Sequence, residues 1–138
     1  MNSKLLFRNQ QKKVTPGKKS EGIYETNGAI YKLTCKECAK SNIVTTYIGE
    51  TVRQLKFRLK EHCKFLDHSI LNDPLMLMSQ SQPAIHASKT HSSNDVNMWD
   101  VLILGKEDST QRRRVLESMA INNHKPNLNI SSGLILVV

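Results

Sequence analysis

The sequence predicts an α+β domain in which three β-strands pack against helices, and three observations predict it. Residues 29–34 (Ala-Ile-Tyr-Lys-Leu-Thr) and 43–48 (Ile-Val-Thr-Thr-Tyr-Ile) are β-rich runs close enough to pair as a hairpin. On a helix reaching about Leu66, Val52, Leu55, Leu59 and Leu66 fall within a sector of roughly 60° at about 100° per residue. Residues 99–104 (Trp-Asp-Val-Leu-Ile-Leu) read as a third, well-buried strand ended by Gly105.

A chain of 138 residues is about one domain, long enough to bury a core without disulfides. Its apolar fraction of 38% is low, and the polar excess is concentrated at the start. Lys4, Arg8, Lys12, Lys13, Lys18 and Lys19 precede the first acid, Glu21. Such a segment cannot offset its ordering entropy by burial, so residues 1–27 are expected to be a disordered basic tail and residues 28–138 the folded domain. The net charge of +8 and pI near 9.6 favour an anionic partner, nucleic acid first.

No run approaches the roughly 18 apolar residues of a membrane span, and the start lacks a signal peptide's apolar core. An intracellular, reducing compartment is therefore expected, where the three cysteines are thiols or metal ligands. Lys12-Lys13 and Lys18-Lys19 read as a two-part nuclear import signal, pointing to the nucleus.

The elements justify themselves in order. A polar link carrying Cys35 and Cys38 joins the first two strands. Gly49 breaks the second strand and Thr51 can cap the helix. Arg58 and His62, four apart, lie along one edge of its apolar stripe, which predicts half-burial for both. Residues 67–83, with Pro74 and Pro83, read as a loop with one helical turn, and a short helix follows around 84–91. Ser109 caps a helix across 110–123, with Leu116, Met119 and Ala120 on one face, and Pro126 ends it.

Tyr47-Ile48-Gly49 closes the second strand, with Arg58 and His62 on the helix beyond it. Two tyrosine-bearing strands, a helix with an arginine, a third strand and a helix with Glu117 resemble, across about residues 28–132, the GIY-YIG nuclease superfamily. Gly22-Ile23-Tyr24 matches the first motif literally, but it starts no strand; Ala29-Ile30-Tyr31 lies inside a β-run, so Tyr31 is taken as the functional residue. Tyr47 and Gly49 match the second motif, Arg58 the helix arginine, Glu117 the metal-binding glutamate, and Asn129 the asparagine beyond the last helix. Tyr-Ile-Gly-Glu-Thr, Arg58-Leu59-Lys60-Glu61-His62, Leu-Glu-Ser and Pro126-Asn127-Leu128-Asn129 together look most like the endonuclease domain of Penelope-like retroelements.

The resemblance implies a small three-stranded antiparallel sheet flanked by helices, and a metal-dependent endonuclease that nicks DNA. It implies catalytic roles for Tyr31, Tyr47, Arg58, His62, Glu117 and Asn129. The chemistry is consistent: an arginine neutralises charge on a phosphodiester transition state, and one carboxylate with substrate and waters holds Mg²⁺ or Mn²⁺. Glu117 is that carboxylate, and the family picture gives the water's proton to a tyrosine, Tyr31 first, with Tyr47 or His62 assisting. At 138 residues there is no room for a reverse transcriptase, which would lie upstream in a full-length element; the chain is a fragment, a degenerate copy or a stand-alone descendant.

Cys35-x-x-Cys38 has the spacing of a zinc knuckle, and His86-x₄-His91 that of the second half of a finger-like site. Zinc at Cys35, Cys38, His86 and His91 is preferred, as a closed structural site stapling the hairpin, since Penelope-type domains place cysteine and histidine pairs similarly. His62, Cys63 and His68 compete as ligands. Each residue also has an ordinary reading. Glu117 can pair with Arg113 at i, i+4, Asn129 can stabilise a turn after Pro126, and the tyrosines can be core. The competing functions are a zinc-containing nucleic-acid-binding module of the same fold without activity, and a zinc-stapled protein-interaction module.

Overall fold

The computed structural model describes residues 12–14 and 22–129. Residues 1–11, 15–21 and 130–138, with the Lys18-Lys19 pair and most of the basic segment, lie outside the described residues.

The fold is α+β. Strands β2 (Ala29–Cys35), β3 (Thr46–Thr51) and β4 (Trp99–Lys106) form the antiparallel sheet that the sequence predicts, with β2 between the other two. A fourth strand, β1 (Lys12–Val14), adds to the outer edge of β4 and makes the sheet four-stranded. Its three residues fall in the segment assigned to the tail, where two lysines hide any alternation. The edge backbone of β4 supplies the ladder that their composition does not advertise.

Alternation along the strands builds two cores. Tyr31, Leu33, Cys35, Trp99, Val101 and Ile103 pack with Leu55, Leu59 and Ala87 on one face. Ile30, Ile48 and Leu104 pack with Ala120, Leu116 and Ile121 on the other. Burying one such leucine stabilises the fold by about 1.5–3 kcal/mol. The first face is covered by α2 (Leu55–His62) and α5 (Gln82–His86), the second by α6 (Thr110–His124). A β-bulge with Leu104 as the extra residue interrupts the β2–β4 ladder beside Tyr31.

Several boundaries differ from expectation. The link between the hairpin strands contains a short helix, α1 (Lys36–Lys40), rather than plain loop. Helix α2 is shorter than 51–66. Thr51 is the last residue of β3, and its hydroxyl accepts the Arg53 amide. The first donors of α2 are met instead by main-chain carbonyls: Leu55 N–H donates to Thr26 O and Lys56 N–H to Tyr24 O. Residues 22–27 thus belong to the packed domain, with Ile23 buried in the first core. Val52, ahead of the helix, misses the stripe and is 62% exposed.

The loop at 67–83 contains two single turns, α3 (His68–Leu71) and α4 (Pro74–Leu77). Ser109 caps α6 as predicted, and Lys125 ends it with a left-handed backbone before Pro126. Among the described residues no helix is long and apolar enough to cross a membrane.

Candidate active site and metal centre

Strand register builds the first cluster. Tyr31 on β2 lies opposite Gly49 on β3, and Tyr47 lies two residues back on the same face. A Cβ on Gly49 would sit 2.5 Å from the Tyr31 hydroxyl and 3.0 Å from the Tyr47 ring. Glycine is required there because the phenol rings rest against the backbone. His62, at the end of α2, meets both: its Nε2 is 2.7 Å from the Tyr31 hydroxyl, and its ring stands edge-on to Tyr47 at 5.0 Å. Tyr31 and His62 are fully buried; Tyr47 is half-buried.

Arg58, one turn before His62, lies beside both phenols. Burial raises the Tyr31 and Tyr47 pKa values; the Arg58 guanidinium opposes the rise by charge and hydrogen bonding. Burial opposes the charge on Arg58 as well, but the tyrosines and Glu61 outweigh it and keep the guanidinium firmly protonated. Burial, with Arg58 nearby, pushes His62 down to about 3, so its imidazole is neutral at physiological pH. Its Nδ1 is buried without a hydrogen-bond partner among the described residues.

Glu117, on α6, comes near enough to the tyrosines to raise both their pKa values. It makes no hydrogen bond or ion pair among the described residues. Burial, then the neighbouring carboxylate of Glu50, pushes its pKa up to about 7 against the pull of Arg114, Arg58 and Arg113. The ordinary alternative, a pair with Arg113 at i, i+4, is not formed among the described residues. Arg113, 2% exposed, is turned to Glu50 on β3, to the carbonyls of Glu107 and Asp108, and to the Thr110 hydroxyl.

Asn129 reaches the strand that carries Tyr47. Its amide pairs twice with the outer edge of β3, accepting from Ile48 N–H and donating to Ile48 O, both at 2.7 Å. Asn127 does likewise two residues back, accepting from Thr46 N–H at 2.8 Å and donating to Val44 O at 3.3 Å. The two side chains close an edge that would otherwise expose its ladder. Asn129 positions the strand that carries Tyr47. Tyr24 packs on the first core with a buried hydroxyl that has no partner among the described residues, and its backbone caps α2. Tyr31, not Tyr24, is the tyrosine in the cluster.

Set against protein-family models, curated proteins and solved structures, the chain matches none.

The second cluster is the Cys/His group. Cys35 ends β2, and its sulfur accepts the Cys38 amide at the start of α1. His86 ends α5, and a π-helical turn, Ala87–His91, follows it. In an α-helix, residues five apart point roughly 140° away from each other. The wider i→i+5 winding brings His91 round to the side of His86. The sulfurs and imidazole nitrogens of Cys35, Cys38, His86 and His91 lie within 4.8 Å of one another.

Cys38 Sγ is 3.3 Å from His86 Nε2 and 3.4 Å from His91 Nε2, and Cys35 Sγ is 3.4 Å from His91 Nε2. Bonds of about 2.3 Å to sulfur and 2.0 Å to nitrogen put thiolate and imidazole about 3.5 Å apart on a tetrahedral zinc. This group could hold a metal ion such as zinc. Burial keeps His86 below its ordinary pKa, in the neutral form that offers a lone pair. The competing ligands go elsewhere: His62 to the tyrosines, Cys63 to the end of α2, and His68 to the start of α3.

Sequence reasoning missed Glu50, the partner of Arg113, and Asn127. The repeat Asn-x-Asn, whose spacing matches the two-residue repeat of a strand edge, was the available signal for Asn127.

Proposed function

We propose that the chain is a metal-dependent endonuclease that nicks DNA, of GIY-YIG type and most like the endonuclease domain of Penelope-like retroelements. The observation that carries this reading is the meeting of Tyr31, Tyr47, Arg58 and His62 on one sheet face, with the unpaired carboxyl of Glu117 beside them. Nucleic acid is the partner that a net charge of +8 favours.

Tyr31 is a phenol, held protonated by burial. Fully buried in the free protein, it can take a proton from water only if substrate binding admits a water to its hydroxyl and its own proton passes to Nε2 of His62, which is at hydrogen-bond distance. As the water oxygen bonds to phosphorus, its proton goes to the Tyr31 oxygen and the Tyr31 proton to His62. The bond from phosphorus to the leaving sugar oxygen then breaks; that oxygen takes a proton from solvent, and His62, whose burial disfavours the imidazolium, releases the proton it accepted. Arg58 stabilises the charge that builds on the phosphoryl oxygens, and Tyr47 fixes the His62 ring by its edge-on contact.

Glu117 suits a hard cation because it is half-buried, unpartnered and destabilised as a lone anion beside Glu50. Glu117 would hold Mg²⁺ or Mn²⁺, which would supply Lewis-acid stabilisation of the scissile phosphate. The Cys35, Cys38, His86 and His91 group binds zinc in this reading. With four protein ligands such an ion would have no open position and would serve the fold.

Supercoiled plasmid incubated with the protein, with and without Mg²⁺, tests the reading. Conversion to the nicked circle only with the metal is expected. DNA binding without nicking would assign the chain instead to a zinc-containing nucleic-acid-binding module without activity.

A further inference from the structure

The outward face of α2 carries an arrangement that the cleavage chemistry does not use. Phe57 is 42% exposed, although it neighbours Arg58 in the chain. The Lys56 ammonium lies 5.4 Å from its ring centroid and that of Lys60 5.9 Å. A solitary exposed phenylalanine is ordinary. An exposed ring with two flexible ammonium groups over it, beside a half-buried arginine, is a combination that suits a particular ligand, one whose base takes the ring face as its phosphates draw the ammonium groups aside.

The surroundings extend the pattern. Glu61 bridges Arg53 and Arg58, so both guanidinium groups are held beside this face. Next to Arg58 a groove of about 350 Å³ opens, walled by Glu61, Lys64, Ser79, Gln80 and Ser81. Glu61 is its one acid, already engaged by the two arginines. Lys64 has no ion pair among the described residues. The groove therefore presents net positive charge and hydroxyl groups, the chemistry that takes a phosphodiester.

We propose that the outer face of α2 holds a nucleic-acid strand in unpaired form beside Arg58, with one base stacked on Phe57. Lys56 and Lys60 take the phosphates on either side of that base, and the strand continues past Lys64 into the groove. Stacking decides for the unpaired form. A duplex shows a protein the edges of its bases, whereas a phenyl ring needs a free base face. The preferred substrate class is thus DNA with a splayed or single-stranded nucleotide, such as a bubble or a flap. This specificity deepens the endonuclease reading, but the binding surface does not require cleavage.

The test is fluorescence anisotropy with end-labelled single-stranded, bubble and fully paired oligonucleotides of one sequence, without Mg²⁺, beside a plasmid-nicking assay. Phe57→Ala is expected to weaken binding to the unpaired substrates by roughly tenfold or more and to leave the duplex unchanged. Phe57→Trp restores the loss. Lys60→Gln lowers the salt slope on single strands by about 0.7. Equal loss on paired and unpaired substrates, or no loss on either, overturns the proposal, because the lysine stems would then merely shield the ring. Binding that follows the expected pattern in a chain that nicks no plasmid keeps this surface and defeats the endonuclease reading. Nicking by the wild type with Phe57→Ala binding unchanged does the reverse.

Discussion

Arg113 pairs with Glu50 on the neighbouring strand rather than with Glu117 one turn along its own helix. The consequence is mechanical and electrical. The pair ties α6 to β3, and it leaves Glu117 without a cation of its own while keeping a second carboxylate nearby to raise its pKa.

Removing one member of a pair this buried leaves the other uncompensated. Arg113→Met is expected to cost about 3 kcal/mol, since Glu50 keeps some contact with solvent. Glu50→Gln, which retains an acceptor for the guanidinium, costs less. Urea unfolding followed by circular dichroism measures both, and an unchanged midpoint in Arg113→Met would show that the pair stabilises nothing.

The buried imidazole of His62 gives stability a definite pH slope. In the unfolded chain it titrates near 6.5 and in the folded protein at about 3, so the unfolded state takes up the proton first. The contribution is complete above pH 6.5 and is lost progressively as pH falls toward about 3. Urea midpoints of His62→Gln are therefore expected to decline less steeply than wild type across that window. Parallel curves would mean that His62 titrates normally.

Asn129 substitutes for a fifth strand at the edge of β3. Asn129→Ala removes two hydrogen bonds to Ile48 and is expected to cost about 1–3 kcal/mol. Amide hydrogen exchange gives the specific readout. Ile48 loses protection, while the amides of β2, which lies between two strands, keep theirs. Retained protection at Ile48 would disprove the edge contact.

Zinc analysis checks the second cluster. One zinc per chain is expected in the wild type, with loss in Cys35→Ser and in His86→Ala. The apo protein should unfold at lower urea, because the ion links the end of β2 to α5 and the π-helical turn. Equal zinc content in all three proteins would rule out this ligand set.

Much of this arrangement was legible in the sequence for identifiable physical reasons. The alternation of β2 and β3 puts Tyr31, Tyr47 and Gly49 on one face, and the four-residue spacing of Arg58 and His62 puts them on one edge of a helix. The ligand spacing Cys-x-x-Cys is local. What failed were choices between partners that only the fold can make. Thr51 has a capping side chain, yet the turn at 22–26 reaches α2 first with its carbonyls. Arg113 has Glu117 at the favoured helical spacing, the ordinary alternative, yet it pairs with Glu50, 63 residues earlier in the chain. The π-helical turn that aligns His86 with His91 has no local sequence signature, and β1 is too short and too basic to show a period.

The central claim is that the Glu117 carboxyl serves DNA cleavage at the Tyr31–Arg58–His62 cluster. Single-turnover nicking of supercoiled DNA in Mg²⁺ by wild type and by Glu117→Gln, with matched circular dichroism spectra, tests it most directly. A fall of about 10²–10³ in rate is expected for the variant. Equal rates in the two proteins would contradict it.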